Sequence, residues 1–127
     1  MGNGSNKELG LKGEDDAVLF LKKNGYKILQ KNYSCNLGEI DIIALKKKIL
    51  VFVEVKVRST DRFGSAEYAI TKQKRRQIVR TAETYLFRNN INNVDCRFDV
   101  VAINYNVDNS SPPEFKLLEN AFQLDDI

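Results

Sequence analysis

One run constrains this chain more than any other: "EIDIIALKKKILVFVEVKVR", residues 39–58. The short basic turn Lys46-Lys47-Lys48 divides it into two strands, which close as a hairpin across Lys47-Lys48. Side chains alternate across a strand with period two. Ile40, Ile42 and Ala44 are therefore expected on one face, as are Val51, Val53, Val55 and Val57. Asp41, Ile43 and Leu45 point the other way, with Leu50, Phe52, Glu54, Lys56 and Arg58. Both faces are largely apolar, so the hairpin belongs in a sheet covered on both sides. The register also brings Asp41 roughly opposite Glu54, with Lys56 two residues further along the same face. A slip of one residue would separate them.

The flanking sequence supplies the cover. Residues 7–24, "KELGLKGEDDAVLFLKKN", read as a helix that ends at Asn24-Gly25. Leu11, Ala17, Val18 and Leu21 are expected along its buried face, and Glu14 falls on that same face. Residues 26–33 read as a first strand, and Gly38 is the pivot of the following turn. A second amphipathic helix is predicted over 71–89, with Thr71 as its N-cap and Ile78, Ala82, Tyr85 and Leu86 as its stripe. "CRFDVVAI", residues 96–103, is a further strand, and "EFKLLENAFQL" is a short C-terminal element, strand or helix. The expected class is α/β: a central mixed sheet flanked by helices, in the order α-β-β-β-α-β plus that last element. One domain is expected over 7–127, with 1–6 a disordered lead-in.

Composition narrows the chemistry. The chain has no histidine, and its two cysteines, Cys35 and Cys96, lie outside any CxxC pair. Ser-His, Cys-His and His-metal sites are thereby excluded, and a structural zinc site is not expected. Catalysis would have to use carboxylates, lysine, tyrosine or a hard metal ion. No apolar run reaches the roughly 18–20 residues of a membrane span. The opening "MGNGSNKELG" lacks a signal-peptide layout, so a cytoplasmic location and no membrane partner are expected. Charge is uneven: Lys46 to Arg80 holds 11 basic and 3 acidic residues, of 20 and 17 in the whole chain. A basic middle between acidic ends favours an anionic partner such as nucleic acid.

The charges inside the hairpin need a reason. As a buried ion cluster, with Lys56 neutralising the acids, they would pay a desolvation cost that apolar residues of similar volume avoid. Like charges directly opposite each other are also destabilising. A divalent cation resolves the conflict, because hard Mg²⁺ or Mn²⁺ takes carboxylate oxygens and leaves positions for water and phosphate.

"GEID", twelve further residues and then "EVK" resembles the PD-(D/E)xK nuclease signature, with Ile40 where a proline often precedes the first acid. More narrowly, "KGEDDA", "NGYKIL", "GEIDIIA", "FVEVKVR", "FG", "RFDVV" and "NAF", in that order, resemble the bacterial YraN family of endonuclease-like proteins. The resemblance runs from about Leu11 to Phe122. It implies a restriction-endonuclease-like core, close to archaeal Holliday-junction resolvases. It further implies that Asp41 and Glu54, with the Val55 backbone carbonyl, hold Mg²⁺ or Mn²⁺, and that Lys56 orients or deprotonates a water. Glu14 is implied as an additional acid, which accounts for its place on an apolar helix face. Glu39 shares Asp41's face, where a supporting role and a plain edge-of-strand role are both open.

Substrate grip is expected from Arg58, Arg62, Lys72, Lys74, Arg75 and Arg76. Lys72, Lys74 and Arg75 crowd the first turn of the second helix, where cations oppose the dipole and a phosphate would relieve them. Basic residues snorkelling beside the core are the plainer reading. Tyr68 and Tyr85 could stack on bases, with core packing the better expectation for both. The function expected is therefore cleavage of branched or structured DNA, and a homodimer suits a junction resolvase that cuts two strands. A non-cleaving nucleic-acid-binding scaffold and a hydrolase of smaller phosphoesters are the alternatives.

Overall fold

The computed structural model describes residues 3–59, 70–106 and 111–122. The elements follow as α1 (Asn3–Lys23), β1 (Tyr26–Cys35), β2 (Gly38–Lys46), β3 (Ile49–Arg58), α2 (Lys72–Arg88), β4 (Asp95–Asn104) and β5 (Glu114–Phe122). The C-terminal element, open between strand and helix in the sequence, is thus a strand. Helix α1 starts at Asn3, ahead of the expected start at Lys7. The strands form one five-stranded sheet in the order β1-β2-β3-β4-β5. Only β3 and β4 run parallel, and α2 is the crossover that this pairing requires.

Local chemistry sets the element ends. Gly25, at φ 88°, turns the chain out of α1 through a left-handed conformation that side chains disfavour. The β2–β3 hairpin closes with Lys46 opposite Ile49, and Lys47 takes φ 56° as a tight two-residue turn demands. The Thr71 hydroxyl accepts the Lys74 N–H at 3.1 Å, capping α2 as its sequence predicts.

The two helices bury opposite faces of the sheet. Ala17 and Leu21 of α1 cluster with Ile42, Ala44, Val51, Val53, Val101 and Ile103. Ile78, Val79, Ala82 and Tyr85 of α2 cluster with Ile43, Leu50, Phe52 and Phe98. Leu11, expected on the buried face of α1, is 54% exposed because that part of the helix reaches past the packed sheet face.

Strict alternation also fails at one place. Ile40 packs on the α2 side while Ile42 packs on the α1 side, so β2 changes face across Asp41. Opposite this point on β1, Asn32 sits at φ 54°, between the ladder pairs Lys31↔Ile42 and Tyr33↔Ile40. A left-handed residue inside a strand swings the following side chains round, which no period-two count anticipates.

Buried polar groups tie the far side of the sheet together. Asp99 is fully buried and accepts from the Tyr26 hydroxyl at 2.8 Å, the Arg97 guanidinium at 2.9 and 3.0 Å, and the Asn120 N–H at 2.8 Å. Its charge is paired and its lone pairs are used, the condition under which a buried carboxylate is tolerated. The network joins β1, β4 and β5.

Helix α1 approaches β3 closely at Gly13, where an added Cβ would collide with the Cγ2 of Val57. Glycine inside a helix costs about 1 kcal/mol relative to alanine, so propensity alone would favour Gly13→Ala. Packing should outweigh it. Gly13→Ala is expected to lower stability by about 1–3 kcal/mol in urea unfolding, and Val57→Ala in the same chain to relieve part of the loss. A stabilised Gly13→Ala would contradict this packing.

Candidate active site

The sequence expectation that Asp41 faces Glu54 follows from the hairpin register, and the structure places both residues one step beyond its last ladder pair, Ile42↔Val53. From here β2 stays with β1 through Ser34↔Glu39, while β3 stays with β4 as far as Arg58↔Asn104. The two strands fork. A backbone donor facing such a gap needs an acceptor, and the Val55 N–H donates to Asp41 Oδ2 at 2.8 Å. In a strand the N–H and C=O of one residue point to the same side, so the Val55 carbonyl faces the fork too.

Both acids are held in a poorly solvated place. The Glu54 side chain is only 12% exposed. Burial first, and then the negative charge of Asp41, pushes Glu54 up to about 7. Lys74 and Lys56 pull it down without prevailing. Asp41 is raised as well, by burial and then by Glu14 and Glu39, against the opposing pull of the Val55 hydrogen bond and Lys74. Two carboxylates that cannot both ionise freely behave as one pair holding a proton near neutrality.

Glu14, half-buried on α1 just after the Gly13 contact, is near enough to act on Asp41 electrostatically. Lys56 is partly buried and acts on Glu54. The cation that closes on Glu54 is instead Lys74, whose Nζ lies 3.9 Å from Glu54 Oε1. Lys74 falls on the helix face of Ile78 and Tyr85, which explains why it turns towards the sheet. Arg75 is partly buried, with its Nε sealed from solvent and unpartnered. Lys72 and Arg76 are exposed, and Arg58 is partly buried and engaged in an interaction. Arg62 and Tyr68 lie outside the described residues. Tyr85 is core, edge-on to Tyr33 at 5.1 Å.

Among the described residues no three acidic or cysteine side chains converge as a ready metal cage, and both cysteines are free thiols. The donors at the fork are nonetheless all oxygen: Asp41, Glu54 and the Val55 carbonyl. Such a set fits a hard divalent cation, which needs only one or two carboxylates and keeps several waters. A cation there would replace the shared proton.

Sequence reasoning did not single out Asn32 or the role of Lys74 towards Glu54. Asn is the residue that most readily enters the left-handed region after Gly, and that was the available signal. The lysine's direction depends on how α2 crosses the sheet, which is not local information.

A model described as the uncharacterised protein family UPF0102 matches residues 13–103. The chain belongs to that family. It is 45% identical over 119 residues to a UPF0102 protein of Clostridium perfringens strain 13, covering 94% of this chain and 97% of that one. A UPF0102 protein of Caldicellulosiruptor saccharolyticus is 47% identical over 116 residues, 91% of this chain and 98% of its own. One from Sulfurihydrogenibium is 49% identical over 112 residues, 88% and 91%. Glu14, Asp41, Glu54 and Lys56 all fall within the span matched to UPF0102. Among the described residues no helix is long and apolar enough to cross a membrane.

The acid pair gives this UPF0102 protein a pH signature. Glu54 titrates near 4.5 when unfolded and near 7 when folded, so the folded state binds its proton more tightly. Its favourable contribution is complete below the lower value and is lost as pH rises through the higher one. In metal-free buffer, Glu54→Gln should therefore gain thermal stability relative to wild type by several degrees between about pH 5 and about pH 8. A difference in melting temperature that stays constant across that range would contradict the assignment.

Proposed function

We propose that this chain is a metal-dependent endonuclease of PD-(D/E)xK type that hydrolyses phosphodiester bonds in branched or structured DNA. The observation that carries the proposal is the acid pair at the β2–β3 fork, costly to the fold and faced by Glu14, Lys56 and Lys74. A mixed sheet with a helix on each face, the first acid on β2 and ExK on β3 is consistent with a restriction-endonuclease-like core.

Asp41, Glu54 and the Val55 carbonyl would hold Mg²⁺ or Mn²⁺, with Glu14 bonding a water at the same site. When bound, such an ion supplies Lewis acidity towards a phosphodiester oxygen and a water of lowered pKa. Lys56 orients the attacking water and takes up or screens its proton. Lys74, now 3.9 Å from Glu54, is the side chain placed to meet a phosphate that enters the fork. Water adds to phosphorus as the 3′ oxygen leaves, giving 5′-phosphate and 3′-hydroxyl ends. Lys72, Arg75 and Arg76 at the start of α2 add backbone grip, which strengthens binding at low salt without reading sequence.

A second reading has one observation in its favour. The bond from the Val55 N–H to Asp41 gives that acid a structural use, as a non-cleaving DNA-binding scaffold would need.

Cleavage of labelled four-way junctions, flaps and single strands with Mn²⁺ or Mg²⁺ separates the two. Wild type should cut at least one of them, Asp41→Ala and Glu54→Ala should fall to background, and Lys56→Ala should lose about 10²–10⁴-fold in rate. Junction binding without cleavage, unchanged in Asp41→Ala, would overturn the nuclease and favour the scaffold.

A further inference from the structure

Three segments bring lysines to the end of the sheet where β2 turns into β3. Lys22 and Lys23 close α1, Lys27 lies at the start of β1, and Lys46, Lys47 and Lys48 make the turn. The ladder joins the last two segments, pairing Tyr26 with Lys46 and Lys27 with Leu45. Lys46 ties in the first: its Nζ donates to the Asn24 carbonyl just past α1 and stands 4.8 Å over the Tyr26 ring. That lysine has a structural use. Lys22, Lys23, Lys27, Lys47 and Lys48 are exposed, and none of them is in an ion pair among the described residues. Asp95, opposite Ile49 at the start of β4, is the acid that the register brings to this end. The turn also departs from its own preference. Lys47 holds φ 56°, where Asn or Gly is the usual residue of a two-residue hairpin. The dipole of α1 favours cations at Lys22 and Lys23, but it gives no reason for Lys27, Lys47 and Lys48.

We propose that this cluster is a second nucleic-acid contact, which holds the sugar–phosphate backbone of a duplex arm away from the fork. Like charges gathered on one small surface repel each other and attract a polyanion. Lysine is a compact point charge, suited to phosphate and not to reading bases. Along β2 the cluster begins five residues from Asp41, about 16 Å at the rise of a strand. Helices α1 and α2 cover the sheet faces between the two places, so the lysines meet a different stretch of polymer from the one at the fork. A branched substrate supplies such a stretch. A bilayer surface also attracts lysines, but it holds a protein through an apolar face beside them, and the hairpin turn carries none. The choice of nucleic acid as the polyanion rests on the nuclease reading; the cluster itself does not.

Fluorescence anisotropy of a labelled duplex and a labelled four-way junction, in EDTA and over a salt series, measures binding apart from cleavage. Lys47→Asn/Lys48→Gly installs the residues such a turn prefers, so its melting temperature should match or exceed that of wild type. Its affinity for the junction should nonetheless fall by about 10-fold or more at low salt, and the slope of log K against log salt should shrink by about 2. Lys22→Ala/Lys23→Ala should shrink the slope similarly, whereas Lys47→Arg/Lys48→Arg should keep it. A wild type that binds neither DNA overturns the proposal, as does a turn variant whose slope is unchanged. So does binding to phosphatidylserine vesicles that the turn variant loses while its DNA binding stays. A slope that depends on these lysines, in a protein that never cuts, would overturn the nuclease reading alone.

Discussion

The hydrogen bond from the Val55 N–H to Asp41 is the hinge of this structure. Two antiparallel strands that part before their ends leave backbone groups facing a gap, and unpaired groups there cost free energy comparable to a lost hydrogen bond. Here a side chain takes the place of the missing strand. Asp41 can do so because β2 changes face at this residue, opposite the left-handed Asn32. The fork stays open, and a second acid, Glu54, stands in it. From the same geometry follow the proximity of Glu14, which Gly13 lets α1 bring down onto β3, and that of Lys74 from the other face. Charges from both helices and both strands act on one poorly solvated point.

That arrangement does not serve stability. An apolar pair would continue the packing of Ile42 and Val53, whereas burial raises the proton affinity of both acids, Asp41 raises that of Glu54 further, and the nearby Lys74, 3.9 Å from Glu54, does not offset it. The contrast with Asp99 is instructive. There a fully buried carboxylate receives a guanidinium, a phenol and a backbone N–H, and its charge is balanced on the spot. A single sheet thus holds one acid whose needs are met by the protein and a pair whose needs are not. Unmet electrostatic demand of this kind is what the proposed divalent cation would satisfy.

Much of this was legible in the sequence, and for definite reasons. The hairpin register is set by a two-residue turn and a period-two pattern, so Asp41 and Glu54 could be placed together from residues alone. The strands and the capped second helix followed from patterns that are local. What depends on three-dimensional closure was not legible. Ile40 packs on the other face where β2 lies opposite the left-handed Asn32 of a neighbouring strand. Lys74, expected among the cations that grip substrate, turns inward to Glu54 because α2 lies over β2. The Tyr26–Arg97–Asp99 network links residues more than 70 positions apart, which no spacing rule anticipates.

The claim that the fork binds a divalent cation in exchange for the shared proton has a direct measurement: calorimetric titration with Mn²⁺ in buffers of different ionisation enthalpy. Metal binding to a protonated acid site releases protons. Near pH 6 the account predicts release of about one proton per Mn²⁺ bound, declining towards none above about pH 8, with binding abolished in Asp41→Ala and Glu54→Ala. Absence of Mn²⁺ binding at every pH, or binding that releases no proton and survives both substitutions, would contradict it.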